Sequence, residues 1–189
     1  MYADVIDTPE QRMTLERLKS LYELIARMNS VYELPELLEF VVDRALSLTG
    51  GRRGLLLLSD DYERKLRHVA VMRGEELNDQ HVDHILEFVS TTVIKDVLDG
   101  GEPRLVTDLR IDQRYGERAS TTTLTAKKVR SVLAVPLKIE EQLVGLIYVD
   151  HSLQAIFGQS ELDFLSAFAN QAALAIHRAQ QHQRQIDEL

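Results

Sequence analysis

The sequence predicts an α+β domain built on an antiparallel sheet. Two pairs of apolar runs read as hairpins, 54–59 with 67–72 and 131–139 with 143–150, each joined by a polar turn. Segments of helical period stand before, between and after them, and a further strand, PRLVTDL, lies at 103–109. Strands that pair through short connections while helices intervene fit helices layered on an antiparallel sheet.

Each element has its own signals. Residues 1–12 are polar, and Thr8 followed by Pro9 marks a helix start, with a capping hydroxyl ahead of a residue that lacks the N–H a first turn leaves unpaired. Leu18, Leu21, Ile25, Met28 and Tyr32 then step by three and four, a narrow seam that predicts a partner helix. Pro35 restarts a helix whose broad apolar face runs from Leu37 to Leu48 and stops at Gly50-Gly51. Residues 79–99 read as helix broken near Ser90, ending at Gly100-Gly101. From Arg110 to Arg130 apolar residues are few and Ser and Thr fill 120–123, which predicts a long loop acting as a lid. Pro136 predicts a bulge or an edge in its strand.

The last helix begins with Ser160 as cap and carries Glu161 and Asp163 where the positive end of the helix dipole favours them. Leu162, Ala169, Ala173 and Ile176 suit a sheet-facing side. Leu165, Phe168, Ala172, Ala175, Ala179, His182, Ile186 and Leu189 keep a second seam. Two terminal seams predict a homodimer through helices 14–32 and 160–189, with interface residues Leu18, Leu21, Ile25, Met28, Leu165, Phe168, Ala172, Ala175, Ala179 and Ile186. His182 on that seam would tune pairing with pH.

Composition excludes several functions. With 22 Lys plus Arg against 30 Asp plus Glu, a net charge of −8 opposes general attraction to nucleic acid or anionic lipid. Zero cysteines remove disulfides, thiolate nucleophiles, Cys-based metal sites and thioether attachment of a cofactor. No apolar run approaches the ~20 residues that cross a bilayer, and the first residues lack a signal-peptide pattern, so the expected location is cytoplasmic.

The run RSVLAVPL (Arg130 to Leu137), the run VGLIYVD (Val144 to Asp150) and the stretch from Phe157 to Ile176 carry a resemblance. Glu102-Pro103, Asp108 and Asp112-Gln113-Arg114-Tyr115 support it. Over residues 20–180 the chain resembles the GAF domain, the small-molecule sensor module of bacterial kinases, cyclases, phosphodiesterases and transcription activators. The resemblance implies a profilin-like antiparallel sheet of about six strands. It implies terminal helices on one face and a ligand pocket on the other, beneath the middle helices and the 110–130 loop. Residues 1–19 are then a tail and the start of a signalling helix, and 181–189 the start of a linker to an effector domain in cis. A histidine kinase is favoured as effector, with a transcription activator or nucleotide cyclase as alternatives and a ligand-free dimerisation scaffold as a third reading.

The ligand class is narrowed by departures from the family's patterns. Cyclic-nucleotide-binding members carry Asn-Lys ahead of a Phe and Asp-Glu after it; here no Asn-Lys precedes Phe157, and Glu161-Leu162 stands at the later spacing. Covalent bilins and the methionine sulfoxide reductase branch both resemble cysteine chemistries, so no covalent cofactor and no catalytic residue are expected, and the ligand is an unidentified small molecule. Asp108, Asp112, Tyr115, Arg130, Ser131 and Tyr148 are the expected pocket residues, Arg130 as an anion clamp, Tyr148 as stacker or donor and Asp108 as acceptor. Arg114, Arg118, Lys127, Lys128 and Arg130 concentrate positive charge there and favour an anion. Asp150 is expected to order the turn to Ser152. His81 and His84 read as a solvated helix face rather than metal ligands, and His177 and His182 lack a phosphoacceptor context. The glycine pairs are helix stops, without the lysine of a P-loop, and no Gly-x-Ser-x-Gly is present.

Overall fold

The computed structural model describes residues 8–31, 33–59, 66–74, 89–116 and 128–188. Helix α1 spans Pro9–Ser30, α2 Leu34–Thr49, α3 Thr91–Gly100 and α4 Gln159–Asp187. Strands are β1 (Arg53–Ser59), β2 (Leu66–Gly74), β3 (Arg104–Val106), β4 (Ser131–Ile139) and β5 (Gln142–His151). They form one sheet in the order β2-β1-β5-β4-β3, every neighbouring pair antiparallel. The described residues thus supply five strands rather than about six.

Local signals set the helix ends. The Thr8 hydroxyl accepts the Gln11 N–H at 3.2 Å while the Gln11 side chain accepts the Thr8 N–H at 2.9 Å, a reciprocal capping box with Pro9 behind it. Gly50 and Gly101 end α2 and α3 in the left-handed region, at φ 70° and 65°, where an L side chain is strained. Helix α4 departs from expectation: its cap is Gly158, whose N–H donates to Glu161 at 2.9 Å, and Ser160 lies inside the first turn. Pro136 sits past the last β3 partner, Ala134, and beside a register shift at Leu137/Lys138, so its missing N–H leaves no β3 bond unmade.

Period-two alternation sorts the sheet into two faces. Leu56, Leu58, Leu133, Val135, Leu137, Ile147 and Val149 point to one side, where α1, α2 and α4 cover them. Leu55, Leu57, Val132, Ala134, Leu146 and Tyr148 point to the other, beneath Val93, Ile94 and Val97 of α3 and beneath Leu109, Tyr115 and Val129.

This layering corrects the expected dimer seam. Met28, Leu165, Phe168, Ala172, Ala175 and Ala179 are buried inside a single chain, because α1 and α2 pack on α4 and fill the seam from within. Leu21 and Ile25 are half-buried against the same core, which leaves Leu18 and Ile186 as the exposed members, at 58% and 51%. His182 is exposed at the rim of a small cleft with Met28 and Ala179. The side chains of Tyr32 and Leu189, the 79–88 segment with His81 and His84, and residues 117–127 of the expected lid, with Arg118, Ser120 and Lys127, lie outside the described residues. No helix among the described residues is long and apolar enough to cross a membrane, and these residues hold no cluster of three metal-ligating side chains.

Candidate functional site

The sheet face beneath α3 holds two of the six expected pocket residues, Tyr148 and Tyr115, each tied to a protein partner. Tyr148 is completely buried at the centre of this face, and its hydroxyl accepts the Ser90 N–H at 3.1 Å. Because Ser90 is the cap residue of α3, that bond fixes the start of the roof to the floor. Burial, and then the nearby Asp150 carboxylate, push the Tyr148 phenol well above its usual range, so it stays a neutral hydroxyl.

Asp150 does not order the turn to Ser152. It lies opposite Arg53 across β1 and β5, and the two make a bidentate pair, Nε to Oδ1 and Nη2 to Oδ2, both at 2.8 Å. Both side chains are buried, and desolvation lifts the Asp150 carboxyl above its usual value against the pull of Arg53. Arg53, Asp150, Tyr148 and Ser90 therefore form one polar chain through an apolar layer.

The remaining expected residues separate. Arg130 clamps Asp108 with two nitrogens and reaches the Gln154 side chain at 2.8 Å, so its fork is satisfied internally. Asp108 also accepts the Arg110 N–H at 3.1 Å, and the Arg130 contact, reinforced by that bond, holds its carboxyl below the usual range. Ser131 belongs to the opposite side of β4 from Val132, the side of Leu133, and spends its hydroxyl on the Leu153 carbonyl at 2.7 Å. Asp112 folds back on its own turn, accepting the Arg114 N–H at 2.8 Å and pairing with the Arg114 guanidinium. The described part of the expected basic cluster is thereby largely neutralised: Arg114 by Asp112, Arg130 by Asp108.

Tyr115 leads to residues that pattern reading missed. Its ring is buried with the α3 residues, and its hydroxyl donates to Asp96, which also takes the Arg104 Nε at 2.6 Å. Arg104 first and Tyr115 second hold the Asp96 carboxyl below its usual value, while burial raises the Tyr115 phenol. Beside this triad an open cleft of about 560 Å³ separates α3 from the 113–115 turn, lined by Thr92, Lys95, Asp96, Asp99, Arg114 and Tyr115. Its walls carry both charge signs at their rims and an aromatic ring at depth, a lining suited to a small polar molecule. Asp96, Arg104, Arg53 and Ser90 carried no motif; a signal for Asp96 existed only in its position on the polar side of an amphipathic helix.

Comparisons agree on the fold. The GAF domain family model matches residues 33–176. No curated protein matches the sequence. Among solved structures, the GAF domain of a Coxiella burnetii phosphoenolpyruvate-protein phosphotransferase is 22% identical, over 90% of this chain and 98% of that one, with a TM-score of 0.69. Its Acinetobacter counterpart is 18% identical over 87% and 95%, at 0.66. Free methionine-R-sulfoxide reductase from Neisseria meningitidis, solved with its substrate, is 15% identical over 88% and 91%, at 0.67. At these identities the structures establish the fold, and the family match does the rest: the chain belongs to the GAF domain family, whose members are small-molecule-sensing regulatory modules of signalling proteins.

Proposed function

We propose that this GAF domain senses a small polar molecule on the α3 side of its sheet and passes the bound state to its terminal helices. The observation that carries the reading is the single central sheet with two differently employed faces. On β5, Tyr148 and Asp150 face α3, while the alternate residues Ile147 and Val149 face the α4 layer. A ligand that moves α3 or the 112–115 turn acts on strands whose other side is the helical core, and close packing transmits the shift. The ligand enters by the cleft at Tyr115, where Lys95, Arg114, Asp96 and Asp99 offer it charges of both signs. The chain acts as a homodimer through the outward side of α1 and reports to an effector in cis, a histidine kinase being the effector type proposed.

Native mass spectrometry of the purified chain tests the sensor reading, because one spectrum shows both oligomer and retained small molecule. A dissociable extra mass that disappears in Asp96→Asn and Tyr115→Phe is the expected result. A second reading, a dimerisation scaffold, draws on the internal pairing of Asp108, Arg130, Ser131 and Tyr148. A dimer that retains nothing, and whose melting temperature no metabolite mixture raises, favours the scaffold and overturns the sensor.

A further inference from the structure

On the helical side, far from the α3 cleft, two arginines converge on one ring. The Arg27 guanidinium of α1 lies 5.5 Å from the Phe40 centroid and the Arg44 guanidinium of α2 lies 5.4 Å from it. A cation over an aromatic face is favourable, but two cations on the same ring repel each other. Five other described arginines are matched with carboxylates, Arg53 with Asp150, Arg73 with Glu39 and Asp43, Arg104 with Asp96, Arg114 with Asp112 and Arg130 with Asp108, while Arg17 and Arg178 reach the neutral side chains of Ser160 and Asn29. Arg27 and Arg44 have no carboxylate within ion-pair distance among the described residues, although acidic residues outnumber basic ones in the chain. The acids nearest in sequence on α2, Glu39 and Asp43, are held by Arg73.

A second observation points the same way. The Nε atom of Arg44 is buried and has no hydrogen-bond partner. A buried donor without an acceptor is rare in folded proteins and calls for a missing ligand, ion or water. Here it sits on a guanidinium whose like-charged neighbour shares its ring.

We infer that Arg27 and Arg44 form an oxyanion site across the α1–α2 hairpin, one that takes a carboxylate or phosphate group with at least two oxygens. Such a group accepts from both planar forks at once and cancels the repulsion between them, which a monovalent halide cannot do with the same geometry. Phe40 is the group both guanidiniums rest against, and it ties α1 to α2 at this point. The site lies on the layer that α1 and α2 share with α4, so it is an input to the terminal helices that does not pass through the sheet, and it stands whether or not the α3 cleft binds a ligand.

The test is titration of the whole 189-residue chain with inorganic phosphate, and separately with glutarate, at ionic strength held constant with sodium chloride, following the arginine Nε–H signals by NMR. The expected result is saturable movement of the Arg27 and Arg44 signals, with chloride alone giving none, and an apparent affinity at least fivefold weaker in Arg27→Gln and in Arg44→Gln. Arg17→Gln is the control, about 15 Å along α1 by helical rise. Arg27 is exposed, so Arg27→Gln keeps the test decisive if Arg44→Gln fails to fold. Tighter binding of phosphate or of glutarate assigns the natural group as phosphoryl or carboxylate. Equal movement with chloride, or an affinity unchanged in both variants, overturns the site.

Discussion

Asp108 and Arg130 show how far single residues can be read. Both stand out in the sequence as recognition groups, and the fold brings them together, but as partners for each other. Charge and residue type are legible; whether the complementary group is a ligand or another part of the chain depends on a contact across 22 positions. The acid dependence of stability follows from them. The Asp108 and Asp96 carboxyls are held below 3.8 in the folded state, so their contribution is complete above that value and is lost as pH falls through the folded pKa of each. Asp150 acts with opposite sign, since its raised pKa favours the fold on the acid side and fades as pH rises past 3.8. Urea titrations between pH 2 and 5 are expected to show a shallower acid loss in Asp108→Asn than in the parent, and a slope unchanged by that substitution refutes the assignment. Arg53 was invisible in the sequence because its partner, on the neighbouring strand in sheet order, stands 97 positions away in the chain. Removing it strands a buried carboxylate, and Arg53→Met is expected to destabilise the domain by about 3–5 kcal/mol in the same assay at pH 7. The double variant with Asp150→Leu is expected to recover most of that loss.

At the scale of elements, hairpins and helix ends were read nearly as they stand. Thr8-Pro9, Gly50 and Gly101 act through backbone geometry that a few neighbouring residues dictate, and the 131–139 and 143–150 runs pair as the alternation requires. Helix α4 was harder. A three-and-four seam records that a helix meets another helix, and it is the same pattern whether that helix belongs to the same chain or to a second copy. Here α4 meets α1 and α2 of its own chain, and the sheet-facing and seam-facing sides merge into one wide buried stripe. Strand pairing has its own fixed point at Gly145, part of the run that carried the family resemblance. A Cβ there would lie 2.3 Å from the Leu57 carbonyl oxygen on β1, a contact that only backbone movement relieves. Gly145→Ala is therefore expected to part β1 from β5 locally and lower the melting temperature by about 5–10 °C, on the basis of ~2–3 kcal/mol in a domain of this size. A change under a degree rejects the close approach as a constraint.

For the molecule as a whole, the burial of the seam within one chain leaves the outward side of α1 as the surface on which we propose that a second copy pairs. Residues 9–20 of α1 are exposed throughout, and Leu15, Leu18 and Tyr22 recur on one side of the helix, with Tyr22 at 74% exposure. This half of α1 touches α4 through the Arg17 guanidinium, which donates to the Ser160 hydroxyl at 3.1 Å, but a helix that buries so little of itself is marginal in water, and in our proposal a twofold pairing with the same stripe of a second copy supplies the apolar cover. The two sets of apolar residues then separate by experiment. Leu18→Glu with Tyr22→Glu is expected to weaken self-association at least tenfold in sedimentation equilibrium and to leave the unfolding midpoint of the monomer within about 0.5 kcal/mol, as surface changes do. Phe168→Ala, in the middle of the former seam, is expected to do the reverse: about 3–5 kcal/mol of lost stability from the cavity it opens, with no direct effect on the association of molecules that remain folded. If the charge pair on α1 leaves association unchanged while Phe168→Ala abolishes it without unfolding the chain, the interface lies on α4 and the outward stripe of α1 has another use.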